Sequence, residues 1–346
     1  EPEVKTEWEV GADLRFFDND LTLGITYYDN VIDGILLDVN LSPSSGFSTQ
    51  YGNFGSMTNN GIEFDLGWNA IEKEELKLRT SLNWSTNTNE VTDLFGTESI
   101  NLSPGASVSS RAIVGQQLGV LFGTGSQTNP DGSLLLDANG FPQITPSPVI
   151  LGDPNPDWRA GLGFNLDYKK LRLNVVVEHS EGGDFMPRTL WVLHRFGTTT
   201  ATSNRLTTSE DLRNHDGDLI PSGTTVRGNI QNFGGGNVLL DEDWYRTGIG
   251  GGFGDNQAYN FGVYDATFTK VRELSLSYLL DNDNLNSILG LDSIRLTATG
   301  RNLININNVP GIDPETNQYG VGNALGLDYF TNPQTKSVLF TAAFNF

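Results

Sequence analysis

An all-β, antiparallel up-and-down transmembrane β-barrel with long outer loops is the fold class this sequence predicts. Three observations predict it. Apolar and polar residues alternate at period two in about nine separate stretches, the mark of strands with one face out of water. The connections between those stretches alternate short and long, as turns and loops do at the two ends of a barrel. The face opposite the apolar one is mostly polar, with intruders such as Leu339, and carries charge in nearly every stretch, so these strands are not buried on both sides.

Taken in order, residues 6–17 place Trp8, Val10, Ala12, Leu14 and Phe16 on one parity and Glu7, Glu9, Asp13 and Arg15 on the other. Asp18-Asn19-Asp20 is a tight-turn sequence, and Leu21, Leu23, Ile25 and Tyr27 resume the apolar face in a strand running weakly on towards Leu37. A polar loop is expected over 42–60. Ile62, Phe64, Leu66 and Trp68 then lead through Glu72-Lys73-Glu74-Glu75 to Leu76, Leu78, Leu82 and Trp84. After a long connection over 85–155, Trp158, Leu162, Phe164, Leu166 and Tyr168 turn at Lys169-Lys170 into Leu171, Leu173, Val175 and Val177. The connection over 181–261 is longer still. The stretch 264–280 carries Leu274, Leu276, Tyr278 and Leu280 on its apolar parity, where Arg272 also falls; a β-bulge near Val271, or an outward residue at the rim, is expected there. Residues 281–292 turn, Ile294, Leu296 and Ala298 follow, and 302–334 form one more long loop. The last strand ends on Phe340, Ala342, Phe344 and Phe346. Phe344 and Phe346 are read as a membrane-assembly signal, an aromatic closing the final strand at the interface.

Composition narrows the class. The 346 residues contain no Cys, which excludes a disulfide framework and a thiolate metal site. No apolar run reaches the length of a transmembrane helix, while a mean hydropathy of −0.28 is compatible with strands that hide their lipid signal in alternation. A formal charge of −21 argues against nucleic acid, whose phosphates demand Lys and Arg. Glu1 is expected to be a processed terminus or a cut through a longer chain.

The candidate chemistry is binding rather than catalysis, and no enzyme activity is expected. His179, His194 and His215 lack a spacing such as H-E-x-x-H, and His179 reads as a rim or lumen residue. The glycine-rich run 248–254 lacks G-x-G-x-x-G phasing and reads as a flexible loop. Carboxylates are spread along strand faces, with no pair placed for glycoside hydrolysis. Asp131, Asp137 and Asn139 sit in Asp-Gly and Asp-Ala-Asn-Gly sequences that suit a structural calcium, without EF-hand spacing, or equally two turns of a long loop. No other cofactor is expected. Loop aromatics Phe47, Tyr51, Phe54, Trp191, Phe233, Trp244, Tyr245, Tyr259, Tyr319 and Tyr329 are candidates to stack on sugars or anchor peptide side chains, or to fill small loop cores.

Several phrases carry a resemblance: Asn59-Asn-Gly-Ile-Glu-Phe-Asp-Leu66, Ile150-Leu-Gly-Asp-Pro-Asn-Pro-Asp-Trp158, Tyr264-Asp-Ala-Thr-Phe-Thr-Lys-Val-Arg-Glu-Leu-Ser-Leu-Ser-Tyr278, Gly300-Arg-Asn-Leu303, Pro310-Gly-Ile-Asp-Pro-Glu315 and Asn332-Pro-Gln-Thr-Lys-Ser337. As a set and in this order, the chain resembles the C-terminal barrel portion of SusC/RagA-type TonB-dependent outer-membrane transporters of Bacteroidetes. The resemblance implies that residues 1–346 are one part of a barrel of roughly 22 strands. It further implies an importer of oligosaccharides or peptides, energised through TonB, with outer-membrane lipid around it and a SusD-like surface lipoprotein as lid. The family's signal peptide, TonB box, plug domain and first strands are expected to have no counterpart in these residues. A passive porin-like barrel and a soluble all-β carbohydrate-binding module or hydrolase are the alternatives. An odd strand count would make the first and last strands parallel, so the chain is expected not to close a barrel by itself.

Overall fold

The computed structural model describes residues 1–346 except 104–106, 247–256, 283–286, 288–289, 321 and 323. The glycine-rich run 248–254 therefore lies outside the described residues, as does part of the turn 281–292.

Nine strands form one sheet: β1 (Val4–Phe16), β2 (Leu21–Asp33), β3 (Ser56–Glu72), β4 (Leu76–Asp93), β5 (Trp158–Tyr168), β6 (Leu171–Glu181), β7 (Phe268–Leu280), β8 (Ser293–Asn307) and β9 (Ser337–Asn345). Each pairs antiparallel with its predecessor, and the order is linear, with β1 and β9 at the two ends. The sheet is thus a partial barrel wall. Sequential antiparallel pairing puts all four long connections, 34–55, 94–157, 182–267 and 308–336, at one end. The turns at 17–20, 73–75 and 169–170 lie at the other. Phe17, Asp18 and Asn19 take positive φ in the first of these turns, the conformation that Asp and Asn tolerate best.

Register carries apolar side chains across the wall in rows. One runs Leu14, Leu23, Leu66, Leu82, Leu162 and Val177 across β1 to β6. Another runs Leu78, Leu166, Leu173, Leu276, Ala298 and Phe340 from β4 to β9. The burial is the inverse of a soluble sheet: on β7, Ser275 and Ser277 are 8% exposed, whereas Leu276 between them is 52% exposed. The two serines pair with Thr299 at 2.9 Å and Thr297 at 2.8 Å on β8. Trp8, Leu14 and Phe344 are exposed like Leu276, and Phe64, Leu82, Phe164 and Leu173 are half-buried by their row neighbours; none enters a packed interior. Aromatics frame the apolar band, with Trp68, Tyr168 and Tyr278 towards the turn end and Trp8, Tyr27 and Trp158 towards the loop end. The terminal Phe346 is also exposed. The opposite face is wet, and there Tyr28 Oη donates to Asn87 Oδ1 at 2.9 Å and Asn30 Nδ2 to Glu7 Oε2 at 2.9 Å.

Several strands run further than alternation predicts. β4 continues through Ser85–Asp93 and β3 starts at Ser56 inside the expected loop. Ser, Thr and Asn there keep the backbone ladder above the apolar band, where both faces are polar and no alternation is required. The extension of β2 towards Leu37 does not form. Gly34, at φ 70°, breaks the strand, and Leu36–Asn40 makes its own hairpin with Thr49–Asn53. The bulge expected near Val271 is present: Arg272 is the extra residue on β7 against β6, whereas against β8 the extra residue lies on β8, at Asn302–Leu303; the shift against β6 turns the Arg272 side chain to the wet face.

Among the described residues the packed apolar clusters sit in the loops and where the loops meet the upper ends of β3 and β4, not along the lipid-facing wall. One gathers Ile35, Leu37, Met57, Val91, Leu94 and Ile100; a second gathers Val108, Leu121, Met186, Trp191, Tyr259 and Leu327; a third gathers Phe141, Val238 and Trp244.

Leu276→Arg places a cation mid-strand on the outward face and is expected to cost about 2–4 kcal/mol. Ser275→Ala, on the wet face, should cost roughly 1 kcal/mol through its lost hydrogen bond. Denaturant titration of the full-length protein folded into lipid vesicles measures both. Equal costs would contradict the assignment of faces.

Candidate functional site

The four long loops build one surface at one end of the wall, and the chain of contacts that holds them begins on β7. Lys270 is 1% exposed, yet it is not stranded. Its ammonium pairs with Asp313 at 2.6 Å and with Glu315, both in the loop 308–336. Arg272, aimed inward by the bulge, pairs with Glu178 of β6 at 2.6 Å and with the second oxygen of Glu315. Asn305 Nδ2 donates to Asp313 at 3.1 Å and Gln334 Nε2 to Glu315 at 3.0 Å. Burial alone would raise the Glu315 carboxyl, but the hydrogen bonds from Arg272, Lys270 and Gln334 win and hold it at about 2. The loop 308–336 is thereby fastened to the wall through charge rather than apolar packing.

A second fastening joins the loop 94–157 to the end of β6. Asp157 N donates to Glu181 O at 2.9 Å and Asp153 N to Asp184 Oδ2, just past the strand, at 2.8 Å, while Asn155 Nδ2 braces the loop on itself by donating to Leu118 O at 3.1 Å. Gly152 is required there, because a Cβ would overlap the Asp184 side chain. His179 lies at the rim on the outward parity, its ring 4.7 Å from that of Trp158 and its nitrogens on Thr269 and Glu181.

The loop 182–267 carries the helix α1 (Arg188–Arg195) and two neighbouring cavities. One, of about 450 Å³, is walled by Arg195, Phe196, Arg227, Glu242 and Arg246; the other, of about 470 Å³, is walled by Trp191, Phe233, Trp244 and Phe261. His194 and Tyr245 border both. Arg227 is committed to the fold, donating to Thr202 O at 2.6 Å and Gly197 O at 2.8 Å. Burial lowers the His194 imidazole below its ordinary value and raises the Tyr245 phenol, so both stay neutral near pH 7. Aromatic faces beside guanidinium groups suit a ligand with flat or ring-shaped apolar parts and acceptor oxygens.

A loop-bearing wall with its apolar face outward agrees with what known proteins show. The family model for the β-barrel of TonB dependent receptor-like proteins matches residues 1–176. The chain belongs to that family. Over 99% of its length, this receptor segment is 26% identical to TonB-dependent receptor P3 of Formosa agariphila, and over 96% it is 24% identical to receptor P26 of the same organism. Across 27% of its length it is 33% identical to TonB-dependent receptor SusC of Bacteroides thetaiotaomicron, covering 10% of that protein. Among solved structures it superposes on the RagAB peptide importer in the "closed-closed" state with a TM-score of 0.68 at 17% identity, a likeness of fold. It covers 99% of itself and 35% of that chain. The receptor segment spans about a third of the length of the full-length relatives it matches (34% of P3 and of P26).

The receptor segment's aromatics divide by place. Trp191, Trp244 and Tyr245 come together around the second cavity, with Phe233. Tyr259 is buried against Trp191, at 5.4 Å, and Tyr319 and Phe54 are half-buried against the loop clusters. Phe47 and Tyr51 are exposed on the loop 34–55, apart from both cavities, and Tyr329 stacks beneath Arg188 at 4.6 Å. Asp131 and Asp137 each close their own turn: Asp131 accepts from Ser133 N at 2.9 Å, and Asp137 from Asn139 N at 2.8 Å and Phe141 N at 2.9 Å. Among the described residues, a group of His/Asp/Glu ligand atoms converges at His215, Asp216 and Asp243. Sequence reading missed this cluster and the Lys270 cluster alike, since their members are distant in the chain. The one available signal was Arg272, a charge on an apolar parity.

Asp313→Asn with Glu315→Gln leaves Lys270 buried without a countercharge. It is expected to cost about 3–5 kcal/mol and to expose Tyr319 to chymotrypsin at neutral pH. Acid should act the same way. A carboxyl held at about 2 stabilises the docked loop fully above its ordinary 4.5, and that contribution fades as pH falls from 4.5 towards 2. Hydroxyl-radical footprinting of residues 308–336 at pH 6 and pH 3 reads this out; unchanged protection would contradict it.

Proposed function

We propose that this chain is the C-terminal wall and outer loop surface of an outer-membrane importer. It would take up oligosaccharides or peptides, energised through TonB and working with a SusD-like surface lipoprotein. The observation that carries the reading is the inverted wall, apolar outside and polar inside, with every long loop gathered at one end. In this reading those loops face the cell exterior and the short turns face the periplasm. The paired aromatic cavities supply a surface for ring-bearing or peptide ligands, and the names of the relatives, receptors dependent on TonB and a peptide importer, point to the same class. A strip of carboxylates and amides on the inner face, including Glu7, Asn30, Glu63 and Asn87, gives a solvated passage to polar cargo. The reading assigns no catalytic step to this chain.

The test is uptake of labelled oligosaccharide and peptide pools by cells carrying the full-length protein. Uptake should cease when a protonophore collapses the inner-membrane gradient, and again when TonB is deleted. Uptake that persists under both treatments would identify a passive pore. Removing the aromatic wall with Trp244→Ala and Tyr245→Ala should weaken capture at least tenfold, with the protein still present at the surface.

A further inference from the structure

The loop 182–267 holds a cluster that import does not explain. Strands Leu212–Arg213 and Leu219–Ile220 form a hairpin whose tip is closed by Gly217 N to Asn214 O at 3.0 Å and by Asp218 N to Asn214 Oδ1 at 2.8 Å. That tip carries His215 and Asp216. The helix Glu242–Arg246 brings Asp243 against them from another part of the loop. His215 Nε2 lies 3.4 Å from Asp216 Oδ1 and 4.0 Å from Asp243 Oδ2, and one donor atom from each residue falls within 4.8 Å of the others.

The donors are held by their surroundings. The imidazole is largely buried, edge-on to Phe141 at 6.2 Å and to Trp244 at 6.3 Å. Its Nδ1 is buried with no hydrogen-bond partner, so the ring's polar contacts run through Nε2, towards the two carboxylates. Asp241 Oδ1 accepts the N–H groups of Asp243 and Trp244, both at 3.1 Å, while Asn214 Nδ2 donates to Asp241 Oδ2 at 3.1 Å. The hairpin and the helix are thus tied together next to the site, independently of anything bound in it.

Charge makes the cluster unusual. Asp216 and Asp243 each bring a carboxylate oxygen towards the same imidazole nitrogen, which sets two acids side by side. Such a pair needs a shared proton or a cation. A tetrahedral ion with bonds of about 2.0–2.1 Å spaces its donors by roughly 3.3 Å. The 3.4 Å edge matches that spacing, and the 4.0 Å edge needs one carboxylate rotamer to close. One imidazole with two carboxylates suits a zinc-class ion; calcium would want about six to eight oxygens.

We propose that His215, Asp216 and Asp243 form a binding site for a divalent transition-metal ion of the zinc class, which clips the hairpin 212–220 to the helix Glu242–Arg246. The clip fixes Trp244 and Tyr245, the walls of the neighbouring cavities, and leaves a fourth coordination position on the solvent side. The site stands whether or not the import reading holds, because its readout is metal rather than uptake.

The experiment uses the full-length protein in detergent, stripped by chelator and titrated with Co²⁺ and then Zn²⁺. One equivalent of Co²⁺ should give visible d–d bands of four-coordinate intensity, displaced by Zn²⁺. His215→Gln should abolish the bands and weaken Zn²⁺ at least tenfold. Asp243→Asn should do the same, and serves if His215→Gln does not fold, as judged by heat-shifted gel mobility. Asp131→Asn with Asp137→Asn should bind as the unmodified protein does. Zn²⁺ should also protect the 212–220 hairpin from proteolysis in the unmodified protein alone. Absence of saturable Co²⁺ binding, or binding unchanged in both His215→Gln and Asp243→Asn, or binding lost only in the Asp131/Asp137 variant, would overturn the proposal.

Discussion

A strand crossing hydrocarbon has no water to satisfy its N–H and C=O groups, and every other feature of this chain follows from that constraint. The nine-strand ladder meets it with near-continuous antiparallel register, shifting on the wall only beside Ser56, near Asn69 and at Arg272. Once the ladder is in place, side chains alternate by geometry, and only the outward parity can be apolar. The face that a soluble protein would bury therefore lies open, while Ser275 and Ser277 are the shielded ones. The same constraint acts on β1 and β9. In a sheet of linear order each has one side without a partner strand, and a barrel wall requires those sides to be paired.

The constraint also moves the packed cores. A wall that gives its apolar face to lipid and its polar face to water has nothing left to bury against itself. Apolar packing is displaced to the loop end, where three clusters shared between loops do for the loop surface what one core does for a soluble domain. Loops with cores of their own hold a defined shape, as a binding surface of this size requires. Trp191 serves both ends, since it packs on Tyr259 in one cluster and walls the second cavity with its edge. A Cβ at Gly262 would overlap its indole, so the loop's course around that glycine is set by the ring.

Charge does the remaining joining. The loop 308–336 is held to β7 by Lys270 and Arg272 against Asp313, Glu315 and Glu178. An ion cluster of this kind contributes little net stability, because desolvation offsets most of its attraction. It is specific, however: only one placement of the loop satisfies five charges at once. The bulge at Arg272 is what makes the placement available, since without the extra residue that guanidinium would face lipid.

The sequence by itself determined the wall. Period-two alternation, the short-long rhythm of connections and the misplaced Arg272 are local signals, and each was enough to read strand, topology or bulge. The polar ends of β3 and β4 escaped because hydrogen bonding continues there after alternation has lost its cause. The loops were decided only by tertiary structure. Whether Trp244 meets solvent depends on Phe141, which lies far away in the chain and follows no period with it. Lys270 reads as an ordinary wall lysine until residues 313 and 315 fold over it. His215 and Asp216 lie 27 or more positions before Asp243 and meet it where Asn214 binds Asp241 and the imidazole packs on Phe141 and Trp244. A strand's faces are set by its own backbone, whereas a loop's partners are set by whatever the rest of the chain brings to it.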